Sequence, residues 1–151
     1  GEIKNCPADS CGAKKWEDLV AELRGKDLMT QLSTINREMN AKRYIIDPVN
    51  WNMPDYWATP LQFMRKNGDC EDYAIAKYMA LKELGVPVDE MRIVVLQDLN
   101  LRIAHAVLAV YVKGTPYVLD NQISSVVPAS SIHHYQPVYS INENGWWLHR
   151  G

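Results

Sequence analysis

The 151-residue sequence has no surplus of either charge, no long apolar run, no internal repeat and only three cysteines. A net charge of −2 supplies no basic field to neutralise phosphates, which argues against nucleic acid and anionic membranes as partners. The longest uninterrupted apolar run, Ala106 to Val112, is far short of the roughly 20 residues a membrane-spanning helix needs. Eight glycines and eight prolines are ordinary amounts, so collagen-like and low-complexity chains are excluded. No GxSxG, P-loop or paired CxxC motif is present, and serine-hydrolase, nucleotide and zinc chemistry therefore have no anchor. The sequence carries no signal peptide; a mature exported protein lacks one too, so the compartment stays open.

What remains is an ordinary globular composition, 47% hydrophobic and 23% charged. A chain of this size buries roughly 68–70% of its unfolded surface and needs no metal or disulfide staple to hold a core. The expectation is one domain over 1–151, with an N-terminal helical part, 1–43, ahead of a core, 44–151. After a loose arm, Trp16, Leu19, Val20 and Leu23 fall at helical spacing up to Gly25, and Leu28, Leu32, Ile35 and Met39 repeat the pattern. These stripes predict two short antiparallel helices. Residues 44–60 carry three prolines and two tryptophans without a period, an ordered aromatic loop in which Trp57 either walls a cleft or packs in the core.

The clearest helix is predicted over 70–84, with Asp69 as N-cap, Cys70 in the first turn, Cys70, Ala74, Tyr78 and Leu81 on one face, and Gly85 and Pro87 as the stop. Strands are expected over Met91–Gln97, Ile103–Val112 and Tyr117–Ile123. Helices first and an antiparallel meander afterwards make the fold class α+β.

Three positions could carry chemistry. A thiol in the first turn of a helix meets unpaired N–H groups and the positive dipole end, which favour the thiolate and could hold an oxyanion; alternatively Cys70 is a small packing residue. Of the four histidines, His133, His134 and His149 sit in polar or terminal contexts and read as surface or structural, whereas His105 interrupts an apolar strand, where burial is costly without a partner. Asp120 closes the next strand. If Lys113-Gly114 is a two-residue hairpin loop, Val112 faces Thr115 and Val107 lies across from Asp120, which makes His105 and Asp120 diagonal neighbours on one face. A slip of one residue would separate them. Cys6 and Cys11 could close a small disulfide loop in an oxidising compartment, while Trp146 and Trp147 read as packing residues.

The string Gly68-Asp-Cys-Glu-Asp-Tyr-Ala-Ile-Ala-Lys-Tyr78, followed by His105-Ala-Val-Leu, Val118-Leu-Asp-Asn121, Tyr135-Gln-Pro-Val-Tyr-Ser and Asn144-Gly-Trp-Trp-Leu-His149, resembles the bacterial transglutaminase-like cysteine proteinases, specifically the LapG type. The resemblance spans about 44–150. It implies a papain-like fold with N-terminal helices packed on an antiparallel sheet, a periplasmic location, and a catalytic triad of Cys70, His105 and Asp120. It further implies a substrate, the N-terminal region of a large biofilm adhesin cut at a paired-alanine site, and a LapD-type inner-membrane receptor for cyclic-di-GMP that restrains the protease. Asp69, Glu71 and Asp72 crowd the thiol and would oppose its ionisation. Read from the residues they are either helix caps or ligands of a hard cation; the resemblance implies Ca²⁺ held by Asp69 and Glu71, with Asp72 as a further ligand. Two other functions share such a fold: acyl transfer to an amine, as in transglutaminases, and a catalytically silent binding module.

Overall fold

The computed structural model describes residues 17–41 and 70–149. Helix α1 (17–23) and helix α2 (Leu28–Ala41) meet at a turn where Gly25 takes φ +82°. Asp27 caps α2: its carboxylate accepts the Thr30 N–H and the Thr30 hydroxyl at 3.1 and 2.6 Å. That satisfies one of the N–H groups a helix start leaves unpaired. The buried Gln31 amide donates to the Leu23 carbonyl at 3.0 Å and ties the two helices together.

Helix α3 (Cys70–Glu83) ends as its sequence predicts. Gly85 takes φ +96° and donates to Lys82 O, and Val86 N–H reaches Leu81 O, both at 3.0 Å. This is a Schellman stop, with Val86 and Leu81 both in the core. The expected one-sided stripe is corrected by the structure: every residue from Ala74 to Leu81 is buried, Lys77 included. The helix is covered by α2 as well as by the sheet, so no side of it faces water in this stretch.

Six strands form one antiparallel sheet: β1 (Met91–Asp98), β2 (Ile103–Val112), β3 (Thr115–Leu119), β4 (Val127–Pro128), β5 (Tyr135–Asn142) and β6 (Gly145–Leu148), in the order β4-β3-β2-β1-β5-β6. The helices and the sheet make an α+β fold. One face of the sheet, through Ile93, Val95, Ala106, Leu108 and Val110, packs on the helices. The opposite face carries Leu96, Val107 and Val118, covered by Ala129 and Ile132 from the segment between β4 and β5 and by Tyr135 at the head of β5.

The β2–β3 hairpin closes through Lys113 and Gly114 at φ +52° and +84°, and the first pair beyond the turn is Val112 with Thr115. Positive φ at both loop residues is the geometry that matches strand twist, so the register is fixed here. Strand β3 stops at Leu119 rather than running to Ile123. The physical reason is competition for the backbone: Asp120 accepts the Gln122 N–H on its side chain, and the carbonyls of Asp120, Ile123 and Ser124 take the amides of Asn40 and Asn36.

Candidate active site

His105 lies on β2 with Val107, on the face away from the helices, and both its neighbours along that face are apolar. Extending the Leu108–Leu119 register by one residue sets Asp120 across from Val107. The imidazole Nε2 is 2.7 Å from Asp120 Oδ1, and both side chains are shut off from solvent, at 1% and 0% exposure. Because a carboxylate only accepts, Nε2 carries the proton in this pair. Nδ1 is then the nitrogen whose lone pair can receive one.

Asp120 is surrounded by donors. Burial by itself would raise its pKa, but the hydrogen bond and charge of His105, the Tyr135 hydroxyl and the Gln122 N–H outweigh burial and hold it below the ordinary carboxylate value. Oδ1 accepts from His105 and, at 2.9 Å, from Gln122 N–H; Oδ2 accepts from Tyr135 Oη at 2.5 Å. Its main-chain carbonyl accepts Asn40 Nδ2 at 2.9 Å, so α2 fixes the backbone that aims the carboxylate.

Lys77, on the same helix as Cys70, is wholly buried, and its Nζ has no hydrogen-bond partner among the described residues. Desolvation drops its pKa to about 7 against a smaller opposing pull from Asp120. The signal was in the sequence: a lysine inside Ala74-Ile-Ala-Lys-Tyr-Met-Ala-Leu81 is a charge in an apolar helix. Tyr135 had no such signal from spacing, because its face is set by an irregularity described below.

The structure places Cys70 at the first helical position of α3, which packs on the strand that carries His105. The side chains of Cys70, Glu71 and Asp72 lie outside the described residues, as do Asp69, Trp57 and the Cys6–Cys11 pair. Among the described residues no group of three or more His, Cys, Asp or Glu side chains is placed to hold a metal ion. His133 is exposed, His134 sits edge-on to Tyr135 at 4.6 Å, and His149 bonds Ser140 Oγ at 2.9 Å, so none of them joins His105. Trp146 and Trp147 pack as expected, though at the surface: Trp146, 56% exposed on the terminal strand of the sheet, meets Tyr139 edge-on with centroids 6.2 Å apart, and Trp147 lies 3.9 Å beneath the Arg92 guanidinium.

The family described as bacterial transglutaminase-like cysteine proteinase matches residues 4–149. Among solved structures, Legionella pneumophila LapG is similar with a TM-score of 0.70 and 39% identity, over 89% of this chain and 74% of that one. Its calcium-bound form gives a TM-score of 0.70 at 39% identity over 91% and 78%, and its EGTA-treated form 0.69 at 39% over 89% and 74%. No curated protein matches the chain.

Proposed function

The chain belongs to the bacterial transglutaminase-like cysteine proteinases, and from that premise we propose that it is a calcium-dependent periplasmic endopeptidase in which Cys70 is the nucleophile, His105 the base and Asp120 the group that orients it. The observation that carries this reading is the buried His105–Asp120 pair, which commits Nε2 to the carboxylate and makes Nδ1 the basic nitrogen of the ring.

Cys70 gives its thiol proton to His105 Nδ1, and the thiolate attacks the scissile carbonyl carbon. The oxyanion that forms is met by N–H groups of the first turn of α3, which have no partners within the helix. His105 passes the proton to the departing amine as the C–N bond breaks. It then removes a proton from the water that hydrolyses the thioester, and Asp120 stabilises the imidazolium in both halves.

Asp69, Glu71 and Asp72 offer only carboxylate oxygens around the start of α3, a donor set suited to Ca²⁺. When bound, the ion would supply positive charge that offsets three anions beside the thiol. That LapG has a calcium-bound form supports the assignment.

The substrate proposed is the N-terminal region of a large biofilm adhesin, cut between paired alanines, with a LapD-type inner-membrane cyclic-di-GMP receptor restraining the protease. No helix among the described residues is long and apolar enough to cross a membrane. Thiol labelling between pH 5 and 9 tests the reading: rapid alkylation of Cys70 well below the roughly 8.5 of an ordinary cysteine is expected, with loss of cleavage in step. Titration at the ordinary value would instead support a silent binding module.

A further inference from the structure

One more side chain touches the His105–Asp120 pair directly, and it arrives there through an irregularity in the sheet. Strand β5 pairs Tyr139 with Val95 but Pro137 with Leu96, so Val138 is an extra residue, a β-bulge. In an unbroken strand Tyr135 would share a face with Tyr139, which packs on the helix side. With the bulge it pairs with Asp98 instead, on the face that holds Leu96 and His105.

We propose that Tyr135 is a positioning residue for the thiol reaction: by donating its hydroxyl to Asp120 Oδ2 it fixes the plane of the carboxylate, aims Oδ1 at His105 Nε2 and moderates the basicity of Nδ1. The proposal rests on the assignment of Cys70, His105 and Asp120 as the reacting group. A carboxylate is only loosely held about its last torsion. Here Oδ1 is held by two donors, His105 and Gln122 N–H, and Tyr135 is the donor on Oδ2. Take that donor away and the carboxylate swings more freely, with one oxygen bare in a buried site.

The phenol remains a donor throughout the working range. Burial first, then the hydrogen bond to Asp120 and the charges of Asp120 and Asp98, push its pKa far above the ordinary tyrosine value. Its ring also lies against the imidazole, with centroids 5.7 Å apart at 60°. Among the described residues, the charged and titratable groups around the pair are Asp98 on β1, His134 beside Tyr135 at the head of β5, and Lys77 on α3, whose positive form is drawn to Asp120. Among the described residues, Tyr135 is the one that donates a hydrogen bond to Oδ2 of Asp120. A donated O–H draws charge from the carboxylate, so less of it reaches His105. Without it, His105 becomes more basic but is worse aimed.

The test is Tyr135→Phe, which keeps the ring and removes the hydroxyl. Turnover of an adhesin fragment is expected to fall about tenfold at unchanged KM, the signature of an interaction that matters in the transition state and not in binding. In a Cys70→Ala background, where the thiol no longer couples to it, the NMR titration of His105 is expected to move up by about half a pH unit. Replacing tyrosine throughout by 3-fluorotyrosine, a stronger donor of nearly the same size, should move it down, and this keeps the test decisive if Tyr135→Phe folds poorly. An unchanged His105 titration in both proteins overturns the positioning role even if cleavage depends on Cys70. A wild-type protein without thiol-dependent cleavage overturns the protease assignment and leaves the titration result standing.

Discussion

His105 and Asp120, fifteen residues apart in the chain, meet at 2.7 Å between Nε2 and Oδ1 because a two-residue turn at Lys113-Gly114 fixes the register between them. Removing the charge while keeping the shape isolates what that contact does. Asp120→Asn should lower kcat/KM by on the order of 10²–10⁴-fold, since the imidazolium loses its anion. Calorimetry on the same protein should show a much smaller loss, with the melting transition still cooperative.

The pKa of Asp120 also makes stability depend on acidity. A carboxyl held below its unfolded value contributes stability that is complete above pH 4 or so and is lost as pH falls through the folded value. Urea titrations from pH 6 down to 2 should therefore show the wild type losing its stability advantage over Asp120→Asn in that acid range.

Lys77 works in the same sense at higher pH. Its pKa drops from 10.5 to about 7 on folding, so between those values the unfolded chain binds a proton that the folded chain does not, and stability rises with pH. The ceiling on this effect is ~5 kcal/mol. Lys77→Met should be more stable than the wild type at pH 6, and the gap should narrow as pH rises from 7 to 9. Paired denaturant titrations measure it, and a gap independent of pH would show that the amine keeps its proton when buried.

Asn40 holds the main chain of Asp120 from α2 at 2.9 Å. Asn40→Ala should cost about 1 kcal/mol in denaturant titration, the net value of one hydrogen bond. Its cleavage rate should fall while Asn40→Gln recovers part of it.

Much of this was legible in the sequence where local chemistry decides the outcome. The Gly85 stop, the Ile103–Val112 strand and the Lys113-Gly114 register are read from residue types whose backbone preferences leave few alternatives. From that register the closeness of His105 and Asp120 follows by counting. Strand β5 did not stand out: Pro137 and Tyr-rich alternation hide it, and the Val138 bulge that turns Tyr135 toward Asp120 is a property of pairing with β1, set by tertiary contacts. The end of β3 was overestimated for a related reason, because the amides that take the carbonyls beyond it come from Asn36 and Asn40, eighty or more residues earlier.

Calcium removal tests the carboxylates around Cys70. EGTA followed by dialysis should stop cleavage with only a modest fall in melting temperature, and Ca²⁺ should restore it. Asp69→Ala and Glu71→Ala should imitate the chelator. If the acids are caps alone, these variants lose about 1 kcal/mol of stability and chelation leaves the wild type fully active.

The most direct measurement is cleavage of an adhesin N-terminal fragment by the wild type and by Cys70→Ala, with the products weighed by mass spectrometry. The wild type should give two fragments ending between paired alanines, and Cys70→Ala, folded by circular dichroism, should give none. Cleavage by Cys70→Ala at the wild-type rate would contradict the account, because no thiol at the start of α3 would then be needed.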